Sequence, residues 1–186
     1  MEQYESWEMN RAGLVNFWYY DEEIFNFANG KLLLRGSNGS GKSVTMQSFL
    51  PVLLDGKKTP DRLDPFGSRA RKMEDYLLGE YEVTKREERT GYLFIEYKKR
   101  NTNRYITTGI GLKAKRHKSM DFWGFVIKDG RRIRHDILLY KEEKLGGGIQ
   151  KIPLTKKELE NCIGDGGVVV STQKEYMGLV NKYVFG

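Results

Sequence analysis

The sequence is poor in the residues that staple a chain or hold a metal. Cys162 is the only cysteine among 186 residues, so no intrachain disulfide can form, and a reducing, cytoplasmic setting fits best. Histidine occurs only at His117 and His135, in no metal-ligand spacing, which argues against a zinc enzyme or a Ser-His-Asp hydrolase. No apolar run approaches the ~20 residues that cross a bilayer. The opening MEQYESWEMN is acidic and polar, unlike a secretory leader, so no membrane partner is expected. No internal repeat and no low-complexity tract occurs. What remains is ordinary for one globular domain: 39% hydrophobic and 31% charged residues. The formal net charge of +7 is mild evidence for a polyanionic partner.

Three short strands are expected at the start, within RAGLVNFWYYDEEIFNFANGKLLLRG. Leu14, Phe17, Trp18 and Tyr19 fill the first and Ile24, Phe25 and Phe27 the second. Asn29-Gly30 marks a turn, and Leu32 to Leu34 are apolar without alternation, as in a strand buried on both faces. The aromatics of the first strand read as core rather than as a base-stacking platform. A helix is expected from Ser43 to Leu54, weakened by Pro51, and a second across GSRARKMEDYLLGEY, ended by Gly79.

The middle of the chain reads as four antiparallel strands: TGYLFIEYKK, NRYITTGIGLKAK, DFWGFVIKDG and RRIRHDILLY. Asp129-Gly130 is the hairpin signal between the last two. KLGGGIQKIP reads as a loop. Thr155 and Glu158 stand at capping-box spacing before a short helix, GGVVVS as a further strand, and Thr172 and Glu175 before a last helix. That helix has an apolar face of Tyr176, Leu179, Val180 and Tyr183 with little chain left to cover it, which suggests a piece of a longer protein.

The most informative stretch is GSNGSGKS, which fits G-x-x-x-x-G-K-[ST] with Gly36, Gly41, Lys42 and Ser43 in the fixed places. A triphosphate is wrapped by backbone N–H groups, so bulky side chains would block the approach, and glycines let several N–H groups turn inward. A helix N-terminus adds its positive dipole end. Lys42 can place its ammonium on the β- and γ-phosphates and the Ser43 hydroxyl can ligate Mg²⁺. The candidate cradle is Gly36, Ser37, Asn38, Gly39, Ser40, Gly41, Lys42, Ser43 and Val44.

Hydrolysis needs an acid at the end of an apolar strand, and the candidates are poor. YLFIE ends at Glu96, but its strand alternates and its neighbours are polar. FVIKD ends at Asp129, which the turn uses better. No serine-glycine-glycine signature occurs, and no guanine-reading N-K-x-D.

LVNF with its aromatic cluster, the NG turn and then LLLRGSNGSGKS together resemble the N-terminal head segment of SMC-type ATPases. RLDPFGSRARKMEDYLLGEY and YMGLVNKYVFG are similar to one branch, the MukB-like SMC proteins of bacterial Wadjet plasmid-defence systems. The resemblance implies an α/β fold, a P-loop lobe with a mixed sheet and an antiparallel β-subdomain. It divides the chain into a Walker A lobe (1–88), the β-subdomain (89–150), and a returning strand with the start of a helix leading to a coiled coil (151–186). It implies ATP and Mg²⁺ as cofactors. The signature and Walker B acid would come from a C-terminal half of the same head, and hydrolysis from pairing with a second head. Kleisin-type and accessory subunits and double-stranded DNA, bound without regard to sequence, are the other implied partners. Gln173, after VVVST, matches a Q-loop glutamine that helps ligate Mg²⁺; Arg11 and Asn16 match first-strand nucleotide contacts; and Arg69 and Arg71 fall where such heads place arginine near nucleotide and DNA.

Lys98 to Lys118 hold eight Lys or Arg residues and no acid, and Arg131, Arg132 and Arg134 follow. Clustered cations on one face suit a phosphate backbone, so Lys113, Lys115, Arg116 and Lys118 join Arg69 and Arg71 as DNA candidates. Two other readings stay open: a complete small P-loop enzyme of kinase type with Glu96 as its acid, and a basic nucleic-acid-binding module whose P-loop only regulates it.

Overall fold

The computed structural model describes residues 7–17, 20–28, 31–32, 77–79 and 85–186. Their frame is a seven-stranded sheet of β1 (Trp7–Phe17), β2 (Tyr20–Ala28), β3 (Lys31–Leu32), β4 (Glu88–Lys99), β5 (Tyr105–Lys115), β6 (Asp121–Ile127) and β9 (Gly167–Val170). Their order across the sheet is β3-β2-β1-β4-β5-β6-β9. A separate hairpin is formed by β7 (Tyr140–Leu145) and β8 (Gly148–Pro153). Every pairing between these strands is antiparallel; the isolated bridge Ile133↔Ile137 is parallel. The stretch that would make the sheet mixed, after Leu32, lies outside the described residues, as do the helix expected from Ser43 and the second helix up to Tyr76. Leu77 and Leu78 are helical and Gly79 follows with φ +67, the left-handed conformation a helix-ending glycine takes. β4, which begins at Glu88, pairs with β1, and residue 150 lies within β8.

Alternation along each strand sends side chains to two faces, and both faces are covered. On one, Leu14, Leu93, Ile95, Ile110, Leu112 and Val126 pack with Leu77, Tyr176, Val180 and Val184. On the other, Tyr92, Phe94, Trp123, Phe125 and Ile127 pack beneath Ile133, Ile137, Leu139, Leu159 and Ile163. β5 makes the second face possible by carrying glycines where its neighbours carry rings. Gly111 stands opposite Tyr92 and Trp123 in register, and a Cβ there would collide with the Trp123 ring. The rings lie across this furrow, Tyr92 edge-on to Trp123 at 5.8 Å.

The helices follow their local signals. In α1 (Lys156–Ile163) the Thr155 hydroxyl accepts from the Glu158 N–H, and Glu158 returns the bond to the Thr155 N–H. In α2 (Gln173–Val180) the Thr172 hydroxyl accepts from the Glu175 N–H. The expectation of an uncovered apolar face on this last helix is overturned. Tyr176 and Val180 are buried against the sheet, where Gly124 leaves room for the Tyr176 ring.

Two expectations for the middle of the chain also fail. Residues 131–139 form no strand, because the place beside β6 is taken by β9. Asp129-Gly130 therefore turns the chain off the sheet rather than back along it. Arg131 fixes that departure, bonding Asp129 and donating to the last carbonyls of α1, those of Cys162 and Ile163. KLGGGIQKIP, expected as a loop, builds most of the β7–β8 hairpin instead. Gly146 and Gly147 both have positive φ, as a two-residue hairpin turn requires.

Candidate functional site

The phosphate-loop candidates Gly36 to Val44, and with them Arg69 and Arg71, lie outside the described residues. Among the described residues β3 is an edge strand, paired to β2 through Phe27↔Leu32 and Ala28↔Lys31, and the loop sequence begins four residues after Leu32. Gln173 opens α2 beside β9, the edge strand at the other side of the sheet. The two edges are six strand spacings apart, about 29 Å along the sheet.

The two first-strand nucleotide candidates have internal work. Asn16 takes φ +51 at the end of β1, a left-handed conformation that Asn tolerates better than most residues. Its amide donates to the Thr90 carbonyl at 2.8 Å and its oxygen accepts from Arg89 Nε at 3.1 Å. Arg89 in turn reaches the Leu77 carbonyl, so this network ties the helix end to β1 and β4. Burial lowers the Arg89 guanidinium to about 10, with Arg86 adding to the effect.

Arg11 belongs to a second cluster, with Glu96 at its centre. Alternation turns Glu96 toward the aromatic face of the sheet, and its side chain is 0% exposed. Arg11 Nε and Nη2 donate to Oε2 and Oε1 at 2.9 and 2.8 Å. Arg132 Nε and Nη2 donate to Oε1 and Oε2 at 2.8 and 3.1 Å, and Asn10 adds a bond to Oε2 at 2.7 Å. Burial pushes the carboxyl up, but the bonds from Arg132, Arg11 and Asn10 outweigh it and hold Glu96 below the ordinary value. Arg11 also donates to the Ile133 carbonyl, and Arg132 stacks over the Tyr105 ring at 4.2 Å. A carboxylate receiving five N–H donors has no lone pair left for a metal or an attacking water. Sequence reasoning missed this cluster because its members come from β1, β4 and the segment after β6.

The basic stretch is not one patch. β5 runs through its middle, and eleven strand residues separate its two parts by about 34 Å. Lys98, Lys99, Arg100 and Arg104 gather at the β4–β5 turn, while Lys113, Lys115, Arg116 and Lys118 lie at the other end. There Lys113 stands opposite Asp121 and Lys115 opposite Glu88. Arg116 donates to the carbonyls of Arg86 and Gly79. Of the later arginines, Arg131 caps α1, Arg132 holds Glu96 and Arg134 lies 3.6 Å from Glu22.

Among the described residues no helix is long and apolar enough to cross a membrane. No family model and no curated protein matches the chain.

Proposed function

We propose that the chain is the ATP-binding N-terminal half of the head of an SMC-like, DNA-associated ATPase acting in the cytoplasm, in plasmid defence or chromosome organisation. The observation that carries the reading is the spacing of GSNGSGKS, supported by the short strand β3, which ends four residues before it. In this reading the backbone amides of residues 36–43 hold the triphosphate, Lys42 neutralises it and Ser43 ligates Mg²⁺, while the position of Gln173 beside the opposite edge strand from β3 weighs against its sharing the metal. The hydrolytic acid and the signature motif come from the C-terminal half of the head and from a second head, with ATP joining the two. Kleisin-type and accessory subunits complete the assembly, and DNA meets the basic stretch through its phosphates.

The kinase-type alternative needs Glu96 as a free acid, and the five donors on its carboxylate weigh against it. The test is equilibrium binding of fluorescent ATP with Mg²⁺ to the purified chain. Binding is expected, with almost no turnover, and Lys42→Ala is expected to abolish it while circular dichroism stays unchanged. A wild-type chain that binds no nucleotide, or one that turns ATP over rapidly by itself, would overturn the reading.

A further inference from the structure

We propose that the β7–β8 hairpin is an arm that docks into a second copy of this chain. Its tip sits in a groove at the root of the other copy's arm, and the exchange is repeated about a two-fold axis. The contact needs no nucleotide, so it is separate from the ATP-joined pairing of heads described above.

The arm is held at its root and bare beyond it. β7 and β8 pair with each other as a separate two-stranded sheet. Lys141 Nζ lies 2.6 Å from Glu158 of α1, and Lys151 Nζ lies 3.6 Å from Glu22 of β2, so both strands are tied where they leave the body. Residues 141–150 are all exposed. A two-stranded ribbon with nothing packed on it is marginal in water. Charge protects such a ribbon from wrong pairing, and Lys141, Glu142, Glu143 and Lys144 supply it along β7. The tip is different: Leu145 is 53% and Ile149 66% exposed, on either side of the glycine turn. Leu145 stands opposite Gly148 and Ile149 opposite Lys144, so the two apolar side chains are on opposite faces of the ribbon.

The same chain carries a seat for that tip. A groove of about 800 Å³ opens between residues 134–138 and α1. Ile137, Tyr140 and Leu154 line it as buried residues, Leu138 lines it 41% exposed, and Cys162 lies on the α1 side. Two walls suit a tip that has an apolar side chain on each face. Tyr140 begins β7, so the groove lies at the root of the arm, and Leu145 is five residues on, about 17 Å along the strand. An arm fixed at its root cannot fold its tip back into its own groove. Two copies laid antiparallel bring each tip to the other's root, because the span from root to tip is the same in both. The result is a closed, isologous pair. Ten exposed arm residues and ten groove residues give about twenty residues a side, the size of a standard interface. The groove carries both signs of charge, Arg134 and Asp136, as does the arm behind its tip, Glu143 and Lys144, so neither surface repels the other through a single-sign patch.

The sole cysteine makes the placement testable, because Cys162 is exposed and lines the groove. A disulfide needs Cα atoms within about 7 Å, so the tip cannot form one with Cys162 of its own chain. Ile149→Cys in the full chain, mildly oxidised without nucleotide, is expected to give a covalent dimer on non-reducing gels, and adding Cys162→Ser is expected to abolish it. Sedimentation of the wild-type chain should show a reversible dimer that ATP with Mg²⁺ leaves unchanged. Added salt should not weaken it, since the contact is apolar and each copy carries a net charge of +7. Leu145→Ser with Ile149→Ser should weaken the dimer roughly hundredfold or more, because each side chain is buried twice in a symmetric pair. Both residues are exposed, so circular dichroism of the variants should match wild type. A cross-link that persists after Cys162→Ser means that tips meet each other and overturns the seat. A dimer indifferent to the serine changes, or one formed only with ATP, overturns the arm exchange. A chain that stays monomeric up to its solubility limit leaves the groove to a different protein and overturns it as well. None of these outcomes alters the test of ATP binding.

Discussion

Replacing Glu96 with Gln tests whether the buried carboxylate is a structural anchor. The substitution keeps the shape and one acceptor oxygen but turns the other oxygen into an NH₂ that faces guanidinium donors. Arg11, whose side chain is 7% exposed, is then left without a counter-charge. Removing one partner of a buried pair costs about 3–5 kcal/mol. Arg132 is better solvated and adds little, so about 3–4 kcal/mol is expected. That is a large part of the ~5–15 kcal/mol of a whole domain. Urea unfolding should show a lower midpoint at an unchanged slope. Arg11→Met added to Glu96→Gln should recover part of the loss, because the stranded charge goes with it. The pH dependence has a definite sign. Glu96 is held below its unfolded value, so its contribution is present above about pH 4.5 and is lost as pH falls through the folded value. The gap between wild type and Glu96→Gln should therefore close in acid. A cost below about 1 kcal/mol, the range of exposed pairs, would refute the anchor, as would lost ATP turnover at unchanged stability.

Two further outcomes follow from burial and packing. Burial raises the Tyr97 phenol to about 12, with Thr108 offsetting only part, although neither hydroxyl makes a hydrogen bond of good geometry among the described residues. The unfolded chain loses this proton first, so stability should fall from about pH 10 to pH 12 by up to about 3 kcal/mol. Tyr97→Phe should remove that share in alkaline melts, while Tyr92, raised further, keeps its own. Glycine-to-alanine changes should have opposite signs at two sites in thermal melts. Gly178→Ala, in open space within α2, should stabilise by about 0.5–1 kcal/mol. Gly111→Ala, under the Trp123 ring, should destabilise by about 1–3 kcal/mol; equal effects would mean that the furrow is not packed as described.

The elements that were legible in the sequence are those whose hydrogen bonds close within a few residues. Thr155 with Glu158 and Thr172 with Glu175 announce their helices because cap and partner are three residues apart. β4, β5 and β6 announce themselves by apolar residues bounded by turn formers. The segment 131–139 was misread because its apolar residues resemble a strand locally, and nothing local says that β9 already occupies the edge of β6. Arg11, read as a nucleotide contact, and Arg132, read with the basic stretch, hid their pairing for the same reason: the partner of each, Glu96, is 85 and 36 residues away.

Sequence alone therefore determined the caps, most of the strands and the phosphate-loop spacing at residues 36–43, since each depends on side chains that are neighbours along the chain. Only the tertiary structure decided the strand order, the sealing of Glu96 and the division of the basic stretch between two ends of β5. Those follow from which distant strands share hydrogen bonds and which charges burial forces together, and no local spacing encodes either.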